Sequence, residues 1–159
     1  MVKYLVLDVD GTLTDGIVYI GNSGELCKGF SVRDGLGIRK IMERGIIPII
    51  LTSRESEIVV NRCIELGITE IYQGIKNKKD CLKKIIEDYK IILEELAYMA
   101  DDINDLEAMQ LAFVKACPKD AVFEIKSICN FISHYNGGHG AVREFCEYLL
   151  NADNFENNP

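Results

Sequence analysis

"YLVLDVDGTLTDG", residues 4–16, sets the reading of the whole chain. The run Tyr4–Leu7 is short, apolar and bounded by turn-forming residues, as a buried strand would be. It delivers two aspartates, Asp8 and Asp10, and then breaks at Gly11. Carboxylates at the mouth of a core are costly unless a partner neutralises them, so this strand end is read as a site rather than a turn. If the extended backbone continues, Asp8 and Asp10 share a face and bring two carboxyl groups to one substrate.

Working outward, short β-rich runs alternate with segments of helical period, the pattern of βα units around a parallel sheet. Strands are expected at 4–7, 47–51, 70–72, 97–100 and 113–116, and helices at about 35–44, 56–66, 78–89, 105–111 and 141–150. Pro48 lacks an N–H and is expected at the beginning of its strand, while Gly45 and Gly67 stand where a left-handed residue ends a helix. The expected fold class is α/β, a three-layer α/β/α Rossmann-like parallel sheet. Residues 16–30, "GIVYIGNSGELCKGF", break the alternation: two β-like arms flank the turn-rich Gly21–Gly24, which reads as an inserted hairpin hanging over the site as a flap. One domain over 1–150 and a polar, frayed tail over 151–159 complete the expected organisation.

Eighteen basic against twenty-five acidic residues leave a net charge of -7 on 159 residues, which argues against a nucleic-acid or anionic-membrane surface. No apolar run approaches the ~20 residues of a membrane span, and the N-terminus lacks a signal-peptide pattern, so a cytoplasmic protein is expected. The six cysteines form no CxxC pair and are read as reduced thiols.

Ligands of a parallel sheet bind at the carboxyl ends of its strands. There the sequence places Asp8 and Asp10, then Thr52, Ser53 and Arg54, then Lys78, then Asp101, Asp102 and Asp105. A carboxylate cluster repels itself without a cation, and oxygen-only ligands select a hard ion such as Mg²⁺, which keeps several waters. Such a site suits phosphoryl transfer, with a carboxylate attacking phosphorus. Arg54 at a strand end and Arg62 two turns into the next helix are both expected to point toward one ligand, where a guanidinium fork suits a carboxylate. Blander explanations compete at single positions. Asp102 and Asp105 are also favoured helix starts, Lys78 alone would be a solvated helix residue, and Arg62 equally fits an exposed charge or an interface salt bridge.

"DVDGTLTDG", "ILTSR", Lys78 within "GIKNK", and "ADDIND" resemble, in order, the four motifs of the haloacid-dehalogenase-type phosphatases. With "FSVRDGLGIRKI", "RCIELGITEIYQGIKNK" and "GGHGAVREFCEYLL", nearly the whole chain is similar to the small branch without a cap domain, typified by 3-deoxy-D-manno-octulosonate 8-phosphate phosphatase, with 3-deoxy-nonulosonate 9-phosphate phosphatase as its close relative. The resemblance implies Asp8 as nucleophile, Asp10 as general acid/base, and Thr52 and Lys78 on the phosphoryl oxygens. It implies Mg²⁺ held by the Asp8 carboxylate, the Asp10 carbonyl and Asp101, with Asp102 or Asp105 supporting from behind. It implies a phosphorylated sugar acid as substrate, with Arg54 favouring the octulosonate, and Ser53, Arg62, Gly138 and His139 as further substrate contacts. Relatives of this branch are homotetramers in which neighbours close each site, so the hairpin is expected to contribute to assembly and residues 136–144 to reach an adjacent site.

Three positions depart from the family pattern: Ala100 and Ser53 stand where glycine is usual, and His139 where a basic residue is common. A methyl at Ala100 is expected to crowd the metal loop. Two other classes compete. A receiver domain also sets acids, Thr and Lys around Mg²⁺, but its adjacent acid pair follows the first strand and it carries no hairpin. A non-catalytic assembly module has no need of an intact Asp8 and Asp10.

Overall fold

The computed structural model describes residues 1–156. Six strands form one parallel sheet: β1 (Tyr4–Leu7), β4 (Ile47–Leu51), β5 (Glu70–Tyr72), β6 (Leu96–Met99), β7 (Val114–Cys117) and β8 (Phe131–Ile132), in the order β5-β4-β1-β6-β7-β8. From β1 the chain builds outward to β4 and β5, then returns to the other side of β1 and builds outward again. The reversal lies between β1 and β6, where Leu7 is in register with Met99, and a crevice opens at such a switch point. Asp8 leaves β1 there and Asp101 follows β6.

Helices α1 (Val32–Glu43), α2 (Glu57–Leu66) and α6 (Ala141–Glu156) cover one face; α3 (Lys78–Tyr89), α4 (Leu106–Met109) and α5 (Phe123–Ile128) cover the other. Strand alternation divides the core accordingly, since Leu5 and Leu7 pack with Ile38, Val59 and Phe145, whereas Val6 packs with Leu82, Met109 and Ile125. Ser31 caps α1 by accepting from the Asp34 N–H (3.3 Å), and Asn77 caps α3 by accepting from the Asp80 N–H (3.0 Å). Gly45 (φ +83°) and Gly67 (φ +82°) take the left-handed conformation expected of them.

Pro48 sits at the second position of β4, opposite Leu5. Ile47 N–H bonds toward β1, so the nitrogen of Pro48 faces the β5 side, where pairing begins only at Ile49 and no donor is missed. The expected hairpin is present as antiparallel β2 (Tyr19–Gly21) and β3 (Gly24–Cys27), outside the main sheet.

Several boundaries differ from expectation. Helix α1 starts at Val32 rather than near 35, because the Ser31 cap outweighs the helix-weakening Gly35 and Gly37. The C-terminal helix continues past 150 to Glu156, since nothing before Pro159 breaks it; residues 157–159 of the expected tail lie outside the described residues. The two-residue strand β8 and the short α5 escaped the sequence reading. Ala100 packs among Val6, Leu51 and Leu82 in the core, so its methyl does not crowd the metal loop.

Candidate active site

After β1 the chain makes one wide turn over Val9–Leu13, closed by the Thr14 N–H donating to the Val9 carbonyl (3.0 Å). Gly11 at φ +94° makes the turn possible, and a Cβ there would stand 1.9 Å from Asp101 Oδ2. Thr12 Oγ1 donates to Asp101 Oδ1 (3.2 Å), so the β1 loop and the β6 end are bound edge to edge. Around them lies a cleft of about 260 Å³ lined by Asp8, Asp10, Thr52, Arg54, Asp101 and Asn104 among others.

Lys78 opens α3, yet it is 2% exposed. Its Nζ donates to Asp8 Oδ1 (2.7 Å) and to both oxygens of Asp105 (2.8 Å each). Tyr98 OH donates to Asp105 Oδ1 at 2.6 Å. Asp105 is therefore no helix cap; it holds Lys78 beneath Asp8. Asp102, by contrast, accepts from the Ile103 N–H (2.7 Å) and caps the short helix that follows, while its side chain also borders the cleft.

Burial pushes the Asp8 carboxyl above its ordinary range, and Lys78 offsets only part of that. Burial and the Asp8 charge push Asp101 up to about 8 and Asp105 up to about 7. For Lys78, burial opposes the charge, but Asp8 and Asp105 outweigh it and keep the ammonium protonated. Carboxylates raised together at and beneath one cleft mark a site short of positive charge. Among the described residues no group of three acidic, histidine or cysteine side chains converges as a metal cage. The donor set fits Mg²⁺ nonetheless, because that ion takes one or two carboxylates and keeps waters and phosphate oxygens for the rest; Asp8 and Asp101 would supply the carboxylates and the Asp10 carbonyl a neutral oxygen.

The remaining expected residues divide. Thr52 (2% exposed) directly follows β4 and lines the cleft, as does Ser53, whose Oγ accepts from Asn104 Nδ2 at 3.5 Å. Arg54 lies over Asp10, with Nε 3.8 Å from Oδ2. Arg62 does not join it, which corrects the expectation of two arginines on one ligand. Its guanidinium donates to the Ser31 carbonyl (3.3 Å) and to Glu65 (2.8 Å) and lies 5.8 Å from the Phe30 ring centre, outside the cleft. Gly138 donates to the Thr12 carbonyl (3.0 Å), and a Cβ on Gly137 would meet the Gly11 carbonyl at 1.8 Å. Within the chain these glycines thus brace the back of the Asp8 loop, while His139 borders a separate cleft beside Arg143. Sequence reasoning passed over Thr12, Asn104 and Lys28. Lys28 follows β3, is 8% exposed, and pairs with Asp10 and Glu25; burial lowers its proton affinity, but the two carboxylates outweigh that and keep it charged.

Residues 60–145 match the haloacid dehalogenase-like hydrolase family. The 3-deoxy-D-manno-octulosonate 8-phosphate phosphatases of Salmonella typhi and Escherichia coli K12 are each 40% identical over 149 residues, 94% of this chain and 79% of theirs. The crystal structure of that phosphatase from Moraxella catarrhalis, in complex with magnesium ion, phosphate ion and KDO, superposes with a TM-score of 0.92 at 37% identity, covering 98% of this chain and 90% of that one. The cobalt-bound enzyme from Haemophilus influenzae gives 0.93 at 33% identity, covering 96% and 90%. The family match, the sequence identity over 94% of the chain and the superposition agree, and the chain belongs to the haloacid dehalogenase-like hydrolases.

Proposed function

We propose that this protein is a Mg²⁺-dependent phosphatase that hydrolyses 3-deoxy-D-manno-octulosonate 8-phosphate through an aspartyl-phosphate on Asp8. The observation that carries the reading is the buried Lys78–Asp8 pair facing Asp101 across the switch point, in a chain 40% identical to enzymes of that activity.

In this reading Asp8 attacks phosphorus while Lys78 and Thr52 hold the phosphoryl oxygens, and Asp105 with Tyr98 fixes Lys78 in place. A dianion approaching a carboxylate is repelled until positive charge is added, which Mg²⁺ supplies when bound at Asp8, Asp101 and the Asp10 carbonyl. Asp10 gives its proton to the leaving sugar oxygen, then takes one from the water that hydrolyses the intermediate. Arg54, half exposed at the cleft mouth, meets the carboxylate of the sugar acid.

Residues 1–150 act as one catalytic domain without a cap, and neighbouring copies supply the cover. Support comes from the apolar hairpin surface: Ile20 is 64% exposed, Leu26 62% and nearby Val32 81%, which suits burial in a homotetramer. The loop bearing Gly138 and His139 reaches a neighbour's cleft in that assembly. Six free cysteines suit the cytoplasm. No helix among the described residues is long and apolar enough to cross a membrane.

A screen of phosphorylated sugar acids with and without Mg²⁺ tests the reading. The octulosonate 8-phosphate is expected to give the highest kcat/KM and to require the metal; a preference for a nonulosonate 9-phosphate would reassign the substrate, and no metal-dependent hydrolysis at all would defeat the reading.

A further inference from the structure

Lys28 follows β3, whose residues are exposed or half-exposed, yet its own side chain is 1% exposed. Its Nζ reaches inward to Asp10 Oδ1 and to Glu25 Oε1 (2.9 Å). Glu25 in turn accepts through Oε2 from the Ser56 hydroxyl, and the Ser56 N–H donates to Gln73 Oε1 (3.0 Å). An unbroken chain of polar contacts thus runs from the end of β5 through the hairpin to the carboxyl group of Asp10. An ammonium withdrawn from water is retained where acids compensate it, and a fixed ammonium in turn fixes the carboxylate it faces. Asp10 Oδ1 is held by this buried cation, whereas Oδ2 is the oxygen on the side of the half-exposed Arg54, 3.8 Å away, and both Asp10 and Arg54 line the cleft.

We infer that Lys28 is a positioning residue for Asp10: it anchors Oδ1 so that Oδ2 is presented to the leaving oxygen and to the attacking water, and it makes the seating of the hairpin a condition of proton transfer. The inference rests on the phosphatase reading above. In the first step the ester P–O bond breaks as the Asp8 oxygen–phosphorus bond forms, and the Asp10 proton passes to the departing sugar oxygen. In the second, water attacks phosphorus, the Asp8–phosphorus bond breaks, and the water proton returns to Asp10. Lys28 keeps its own proton throughout.

The consequence depends on the leaving group. A sugar alkoxide needs the Asp10 proton in order to depart, whereas p-nitrophenolate is a stable anion that leaves without one. Single-turnover release is therefore measured for 3-deoxy-D-manno-octulosonate 8-phosphate and for p-nitrophenyl phosphate, at saturating Mg²⁺, in the wild type, Lys28→Met and Lys28→Arg. Lys28→Met is expected to slow sugar release by about tenfold or more relative to p-nitrophenol release, part of the roughly 10²–10⁴-fold that a general acid contributes, with Lys28→Arg recovering most of the difference. Release of p-nitrophenol also reports that the variant is folded. Equal slowing of both substrates, or no slowing, overturns the inference while leaving the phosphatase reading intact. A wild type that releases neither product contradicts that reading and this inference with it.

Discussion

Lys78 Nζ lies 2.7 Å from Asp8 Oδ1 and 2.8 Å from both oxygens of Asp105, and its side chain is only 1% exposed. One ammonium therefore serves two carboxylates, and removing it leaves both buried without a counter-charge. Breaking such a buried pair from one side costs about 3–5 kcal/mol. Losing a charge aimed at the transition state costs about 10²–10³ in kcat. Lys78→Met is expected to show both losses, read by thermal melting and by steady-state kinetics. Asp105→Asn is expected to lower kcat as well, although Asp105 does not line the cleft, because Lys78 loses part of its hold.

Gly11 tests the contact between the first and fourth sequence motifs. At φ +94° an added methyl is strained by about 1–3 kcal/mol, and it would stand 1.9 Å from Asp101 Oδ2. Gly11→Ala is expected to lower the melting temperature and to weaken Mg²⁺ binding, measured by calorimetric titration. Gly24→Ala, in open space at the hairpin tip, bears the backbone strain of φ +115° but no clash, and is expected to leave Mg²⁺ binding unchanged.

The acid cluster makes stability depend on pH in a defined direction. Asp101, raised to about 8, and Asp105, raised to about 7, bind protons more tightly in the folded than in the unfolded chain. Their contribution is full below the ordinary carboxylate range near 4 and is lost as pH rises through about 7 to 8. Metal-free protein is thus expected to melt at lower temperature at pH 8.5 than at pH 6, by about 2–4 °C per kcal/mol lost. Mg²⁺ is expected to narrow that gap, and Asp101→Asn to shrink it without metal. Melting curves at the two pH values, with Mg²⁺ or with chelator, measure all three effects.

The hairpin surface carries the prediction about assembly. Ile20→Glu with Leu26→Glu places charges on residues that are 64% and 62% exposed, so the monomer fold is expected to tolerate them. Sedimentation is expected to show a smaller species than the homotetramer proposed for the wild type, with kcat/KM for the sugar acid reduced. A monomer with full activity would remove the argument that neighbours complete the site.

The sheet was legible because its strands are short apolar runs ended by charges or turn-formers. Tyr4–Leu7, Ile47–Leu51 and Glu70–Tyr72 begin and end where their pattern does. β8 has two residues and α5 six, too few for either period to register. Asp8, Asp10, Thr52, Arg54 and Asp101 all lie on the cleft because each stands at a strand end, and parallel topology gathers those ends at one edge. Arg62 misled because two turns of helix specify a face but not what lies opposite; here the neighbours are Ser31 and Phe30 of the α1 entry. Lys28 was invisible for the converse reason. In sequence it ends a hairpin arm as any solvated lysine might, and only the folding of that arm onto Asp10 buries it.

The central claim is covalent catalysis by Asp8, and phosphoryl-enzyme trapping tests it most directly. Protein mixed with phosphate-labelled sugar acid and Mg²⁺, quenched in acid and digested, is expected to carry one base-labile acyl phosphate on the peptide containing Asp8, with Asp8→Asn folded, unlabelled and inactive. Label on another residue, or near-normal turnover by Asp8→Asn, would contradict the account.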